Sequence, residues 1–297
     1  MFDDVLVPTD GSDCANAAIG YAKDLAERYD ATMHVLSVVD SRVLENAPHY
    51  ESVRDEHREI VEDLAAEVVE DLADTACDVE HAVRTAVPHT AIMQYVRERD
   101  VDLIAMGTHG RTGVDRYLLG SVTEKVVRLS DVPVLTVPES DDGAVTYPYE
   151  EVLVPTDGSD GALAAVAPAI DLAATYDARL HALSVVDTAA MGFDVRSATI
   201  AESLEDAAQD AVRAVQSRAT AASVGPVETA IVQDTPSQGI RSYVDDHDVD
   251  LVVMGTRGHT GVERYLLGSV TEKTVRTSSV PVLTVPTRGE GDESTEA

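Results

Sequence analysis

The chain has 297 residues, 44% hydrophobic but only 4% aromatic, which is enough apolar material for two cores built chiefly from Ala, Val, Leu and Ile. Its 54 acidic and 22 basic side chains give a formal net charge of −32, so it is expected to repel nucleic acid, and no apolar run approaches the roughly 20 residues that cross a bilayer. The opening residues lack the basic, apolar and small-residue pattern of a secretory signal, and Cys14 and Cys77 have no metal-like spacing, so a cytoplasmic location with reduced thiols is expected.

The first half opens on DVLVPTDGSD (Asp4 to Asp13) and the second on EVLVPTDGSD (Glu151 to Asp160). A repeat of this length signals a duplicated domain rather than a solenoid. The expected division is a first domain over 1–138, a linker over 139–149, a second domain over 150–286 and a disordered tail over 287–297. In the first half, Val5 to Val7 starts a buried strand and Ala15 to Tyr29 follows as a helix. Thr32 to Val39 is a second strand. A long helix over about Glu51 to Asp74 places Ile60, Leu64, Val68 and Leu72 at every fourth position. Val79 to Ala86, Val101 to Met106 and Val132 to Val137 read as three more strands, with helices over His89 to Arg99 and Ser121 to Leu129 between them. The second half repeats this order through Val152, Leu180 to Val186, Val227 to Val232, Leu251 to Met254 and Val280 to Val285. Apolar strands alternating with helices imply an α/β fold with a parallel sheet covered on both faces. Ligands of such sheets sit beyond the carboxyl ends of the strands.

Both repeated motifs fall at such ends. One is Pro-Thr-Asp-Gly-Ser after the first strand. The other, MGTHGRTGVDRYLLGSVTEK (Met106 to Lys125), recurs as MGTRGHTGVERYLLGSVTEK (Met254 to Lys273). Gly107, Gly110, Gly120 and Ser121 keep the spacing G-x2-G-x9-G-S, as do Gly255, Gly258, Gly268 and Ser269. Glycines let an anion approach the main chain, and a helix start offers free N–H groups to a phosphate. Ser121 to Glu124 and Ser269 to Glu272 also read as capping boxes, which need no ligand. Asp10 and Asp157 suit a ribose hydroxyl or a hydrated magnesium ion, or simply an Asp-Gly turn. Ser12 and Ser159 read as helix caps. Val38 and Val185 suit either an adenine pocket or plain core. The loops exchange a basic pair, His109 and Arg111 against Arg257 and His259; Arg111 or Arg257 could reach a phosphate, but solvated ion pairs are the expected role of these arginines. There is no G-x4-G-K-[ST] loop, no G-x-G-x-x-G after the first strand, and no nucleophile–base–orienter set readable from the spacing. A phosphate cradle without a catalytic base favours binding over fast chemistry.

On these residues the chain resembles the universal stress protein family in its tandem, ATP-binding form, from the VLVPTDGS openings to the VPVLTVP endings. The resemblance implies two repeated open parallel five-stranded sheets of order 3-2-1-4-5 flanked by helices, Rossmann-like and similar to the adenine nucleotide alpha hydrolase-like arrangement. It implies ATP, with Mg2+, in both halves. Adenine and ribose would lie near Pro8, Thr9, Asp10, Val38 and Met106, and the triphosphate near Gly107, Gly110, Gly120, Ser121, Val122 and Thr123. The second site would use Pro155, Thr156, Asp157, Val185, Met254, Gly255, Gly258, Gly268, Ser269, Val270 and Thr271. It also implies an internal pseudo-dimer through the last strands, with homodimerisation on top. His109 stands where the family often has arginine.

The functional expectation is a nucleotide-dependent stress-response regulator acting on an unidentified protein partner, with no assigned catalytic residue. The alternatives are a slow ATPase or phosphotransferase, or a nucleotide-free regulatory module of a transporter or kinase. Acids spread along the chain, and lysine confined to Lys23, Lys125 and Lys273, read as halophilic adaptation, since the Debye length falls to about 3 Å in molar salt.

Overall fold

A computed structural model describes residues 1–42, 50–110, 119–139, 147–187, 197–256 and 267–287, with side chains of 50–57, 69 and 197–201 excepted. The chain divides into two compact units, built mainly on Met1–Glu150 and Glu151–Thr274.

The first unit runs β1 (Asp4–Thr9), α1 (Asp13–Tyr29), β2 (Thr32–Asp40), α2 (Tyr50–Asp71), β3 (Val79–Ala86), α3 (Pro88–Glu98), β4 (Leu103–Gly107), α4 (Ser121–Leu129) and β5 (Val134–Val137). Its strands lie in the order β3-β2-β1-β4-β5, and every adjacent pair is parallel. Val5 pairs with Met33 on one side and Leu103 on the other, so the central strand is buried on both faces. This explains its nearly unbroken apolar run.

The second half of the chain runs β6 (Glu151–Pro155), α5 (Asp160–Leu163), α6 (Val166–Tyr176), β7 (Arg179–Asp187), α7 (Ser197–Ala221), β8 (Val227–Asp234), α8 (Pro236–Asp246), β9 (Leu251–Gly255), α9 (Ser269–Thr277) and β10 (Val282–Val285). Its order is β8-β7-β6-β9-β10. The β6–β7, β6–β9 and β7–β8 pairs are parallel. The doubly wound order expected for each half is present.

Local differences from the expected elements have local causes. The helix after β6 breaks into α5 and α6 at Ala164 and Ala165. Pro168 supplies no N–H, and its ring crowds the carbonyl of Ala164, four residues earlier. The matching α1 has no proline and runs unbroken. On α2 the apolar residues at every fourth position do not form one buried face. Ile60 is 52% exposed, whereas Ala65, Val68 and Leu72 are buried. Four residues advance about 400° around a helix, so the run drifts by about 40° per step and Ile60 leaves the face that Leu72 occupies. Tyr147 and Tyr149, at the end of the segment read as linker, pack against Tyr21 of α1 with ring centroids 5.2 and 6.4 Å away.

At the amino ends of the strands each unit buries a polar post. In the first, His34 Nε2 lies 2.8 Å from Asp4 Oδ1 and Nδ1 lies 3.1 Å from the Tyr95 hydroxyl. In the second, His181 bridges Glu151 at 2.5 Å and Tyr243 at 3.0 Å, and the His247 ring stacks on Tyr243 at 3.8 Å. The histidines are buried, so these contacts satisfy ring nitrogens that a core strand would otherwise leave unpaired. Burial, reinforced by Glu228 and Glu151, pushes the Tyr243 phenol up to about 12. A phenol whose folded value exceeds its unfolded value of about 10 adds stability below pH 10 that is lost as pH rises toward 12. Roughly 2 kcal/mol is expected to disappear across that window. In Tyr243→Phe this alkaline loss should shrink, after a cost near 1 kcal/mol at neutral pH for the missing hydrogen bond. Denaturant melts from pH 8 to 12 measure both, and parallel curves for the two proteins would contradict the assignment.

Candidate nucleotide site

The mouth of each unit is made by two strand-to-helix turns. After β1, Gly11 takes a left-handed φ of 72°, and after β6, Gly158 takes 79°. These angles favour glycine. Thr9 Oγ1 accepts the Gly11 N–H at 3.1 Å, Asp10 Oδ1 the Ser12 N–H at 3.0 Å, and Ser12 Oγ the Ala15 N–H at 3.3 Å. Thr156, Asp157 and Ser159 repeat this with Gly158, Ser159 and Ala162 at 3.1, 3.0 and 3.2 Å. Ser12 and Ser159 therefore cap helices, and both aspartates form turns that leave the residue exposed at the mouth.

The second turn approaches the first through main chain. A Cβ added to Gly107 would stand 2.6 Å from Cys14 Cβ and 2.8 Å from the Cys14 carbonyl carbon. At Gly255 it would stand 1.9 Å from the Gly161 carbonyl oxygen. Both glycines are thus packing requirements where a strand end meets a helix start. A Cβ at Gly110 would lie 2.6 Å from Asp10 Oδ2, so the two turns of the first unit also meet at the rim.

The loops close on themselves. Thr108 O accepts the Gly120 N–H at 2.8 Å, and Thr256 O accepts that of Gly268 at 2.8 Å. Thr123 Oγ1 donates to Gly107 O at 2.9 Å and Thr271 Oγ1 to Gly255 O at 2.8 Å, tying each helix start to its strand end. The capping-box expectation is corrected here. The N-cap of α4 is Gly120, which has no side chain to cap with, and Ser121 is already helical. The first helical bond runs from Glu124 N–H to Gly120 O at 2.9 Å, and Glu272 bonds Gly268 alike. The N–H groups of Ser121, Val122 and Thr123, like those of Ser269, Val270 and Thr271, precede that bond and have no acceptor in their own helix. They lie at the positive end of the helix dipole.

In the second unit these parts border an open cleft of about 780 Å³, solvent at the mouth included. Every second-half site residue named from the sequence except Gly258 lines it: Pro155, Thr156, Asp157, Val185, Met254, Gly255, Gly268, Ser269, Val270 and Thr271. Gly258 lies outside the described residues, as do Arg111, Arg257 and His259. The sequence reading missed Ala162, Leu183, Pro236 and Ile240. The last two come from α8, and a signal existed: both halves place proline and then, four residues on, isoleucine at this helix start (Pro88 and Ile92, Pro236 and Ile240).

In the first unit Thr9, Met106, Gly107 and Thr123 are buried, Pro8, Val38, Gly120 and Val122 are half-buried, and Asp10, Gly110 and Ser121 are exposed. His109 Nδ1 lies 2.9 Å from Thr108 Oγ1, and its Nε2 is buried with no protein partner. Burial pushes the Cys14 thiol up, against the opposing pull of the His109 N–H and the Thr108 hydroxyl, which makes it a poor nucleophile. Among the described residues no cluster of three His, Cys, Asp or Glu side chains forms a metal site, and no helix is long and apolar enough to cross a membrane.

Comparisons with known proteins identify the family and the fold. The family model described as "Universal stress protein family" matches residues 1–138 and again 148–286. A universal stress protein of Methanocaldococcus jannaschii is 36% identical over 140 residues, 46% of this chain and 82% of the relative. The crystal structure of a universal stress protein from Archaeoglobus fulgidus superposes with a TM-score of 0.72 at 25% identity, covering 96% of this chain and 98% of that one. A functionally unknown protein from Pseudomonas aeruginosa shares the fold, with a TM-score of 0.68 at 19% identity over 96% of this chain and 92% of that one. Two family matches in succession, on a fold wound twice in the same order, make this chain a member of the universal stress protein family in tandem form.

Proposed function

We propose that each unit binds one ATP with Mg2+, and that nucleotide occupancy governs a regulatory interaction with a protein partner in a stress response. The observation that carries this reading is the second cleft, which joins an apolar end to the glycine-capped start of α9. Leu183, Val185, Pro236, Ile240 and Met254 offer a surface for a planar base, and Thr156 and Asp157, which line the same cleft, suit a ribose hydroxyl. The amides of Ser269, Val270 and Thr271 suit phosphate oxygens. Magnesium would be held chiefly by the phosphates, with an exposed aspartate (Asp10 or Asp157) within its hydration shell.

The net charge of −32 supplies a test of how the phosphate is held. A site that relies on lysine weakens as salt screens its attraction. A site of main-chain amides on a strongly acidic protein should instead gain affinity, because salt first removes the long-range repulsion of a triphosphate. Titration calorimetry with Mg-ATP is expected to show two sites per chain, tighter in 1 M than in 0.15 M KCl. Absence of binding heat at every salt concentration would refute the proposal. Accumulation of ADP in the same samples would move the reading to a slow ATPase.

A further inference from the structure

The two units differ at one helix position that neither the repeated motifs nor the family match explains. Gly239 is the fourth residue of α8, an interior position where glycine is the poorest helix former after proline. A Cβ there would meet Val185 Cγ1 at 2.9 Å, Val185 Cγ2 at 3.1 Å and Val232 Cγ2 at 3.2 Å. Val185 and Val232 are register partners in the β7–β8 ladder, so their backbones cannot yield separately. Val185 also lines the cleft, as do Pro236 and Ile240 on either side of Gly239 in α8. The missing methyl therefore sets how closely α8 lies against Val185.

The first unit is built otherwise. Ala91 holds the matching place and is buried, and the partner of Val38 in the ladder is Arg84 rather than a valine. Arg84 bonds Glu98 at 2.5 Å and lies 5.0 Å from the Tyr95 ring centre. The wall behind Val38 thus carries an extra methyl and a guanidinium stem where the wall behind Val185 has neither.

We propose that Gly239 is a positioning residue that fixes Val185 and so determines how the second cleft receives the base of its ligand, making the two clefts unequal for the base and alike for the phosphates. This rests on the nucleotide reading above. The test uses the full chain with Gly120→Val silencing the first cleft, and adds Gly239→Ala alone or with Val185→Ala. Three readouts are taken: Val185 methyl resonances, affinity for Mg-ATP, and affinity for inorganic tripolyphosphate. Gly239→Ala should shift the Val185 methyls in the ligand-free protein and weaken ATP about tenfold, the scale of one misplaced methyl in an apolar pocket, while tripolyphosphate is unchanged. Val185→Ala on top of it should recover most of the loss, because the shortened side chain removes the crowding. Unmoved methyls, unchanged ATP affinity, or equal losses for ATP and tripolyphosphate would each overturn the role of Gly239. A Gly120→Val parent that binds tripolyphosphate but no nucleotide would instead overturn the nucleotide reading, and the base-positioning role with it.

Discussion

Gly255→Ala is expected to destabilise the second unit by about 3 kcal/mol, the upper end of the usual cost of overpacking. The added methyl would sit 1.9 Å from the carbonyl oxygen of Gly161 and 2.6 Å from its carbon. No rotamer can relieve that contact, because both sides are main chain. Relief requires β9 to part from the start of α5. Gly107→Ala should cost less, about 2 kcal/mol, since its nearest neighbour is the Cβ of Cys14 at 2.6 Å and the main chain lies slightly farther off. Denaturant melts in high salt give the ranking, and the larger loss corresponds to a fall in Tm of about 6–12 °C for a unit of this size. A Gly255→Ala protein as stable as its parent would show that the two backbones do not touch.

The second large effect is on binding. Gly120→Val together with Gly268→Val should lower ATP affinity at least about 100-fold, or roughly 2.7 kcal/mol, while the fold is kept. Gly120 has φ −58° and ψ 140°, which any residue can adopt, so the substitution carries no backbone strain. Its Cβ would stand 3.1 Å from Thr108 O and 3.6 Å from Thr123 Oγ1, a close but tolerable fit. The branches of valine would then crowd the first amides of α4, where a phosphate is proposed to dock. Each single variant should halve the number of ATP molecules bound per chain. Two sites still filled with parental affinity in the double variant would remove these helix starts from the binding site.

The two experiments separate roles that the sequence merged. Gly107, Gly120, Gly255 and Gly268 all read as parts of one anion loop, because spacing shows that glycine is needed without showing what approaches it. The strand ends and turns were legible for a simpler reason: PTDGS joins a proline-terminated apolar run to an Asp-Gly turn and a serine cap, and each of those residues has one dominant local use. The broken helix of the second half was signalled by Pro168, but the repeat with α1 pointed the other way. The apolar end of the cleft was hidden because Leu183 and Ile240 look like ordinary core residues until two distant elements meet. His34 and His181 were hidden for the same reason, since each histidine's acid lies on the preceding strand and its tyrosine on a later helix. Their recurrence at matching places in both halves was the one available signal.

The hydrogen bond between Thr108 and Gly120 has an implication for how this protein can change. Thr108 and Gly120 are tied to each other across this backbone bond, so the two ends stay fixed whatever length of chain joins them. Doubling such a loop costs only about 0.6 kcal/mol in closure entropy. Insertions, or exchanges such as His109 and Arg111 for Arg257 and His259, can therefore be tried in one half without disturbing the strand and helix that carry it. A duplicated gene would give such trials a spare copy, leaving one half to keep the original trade while the other is retuned.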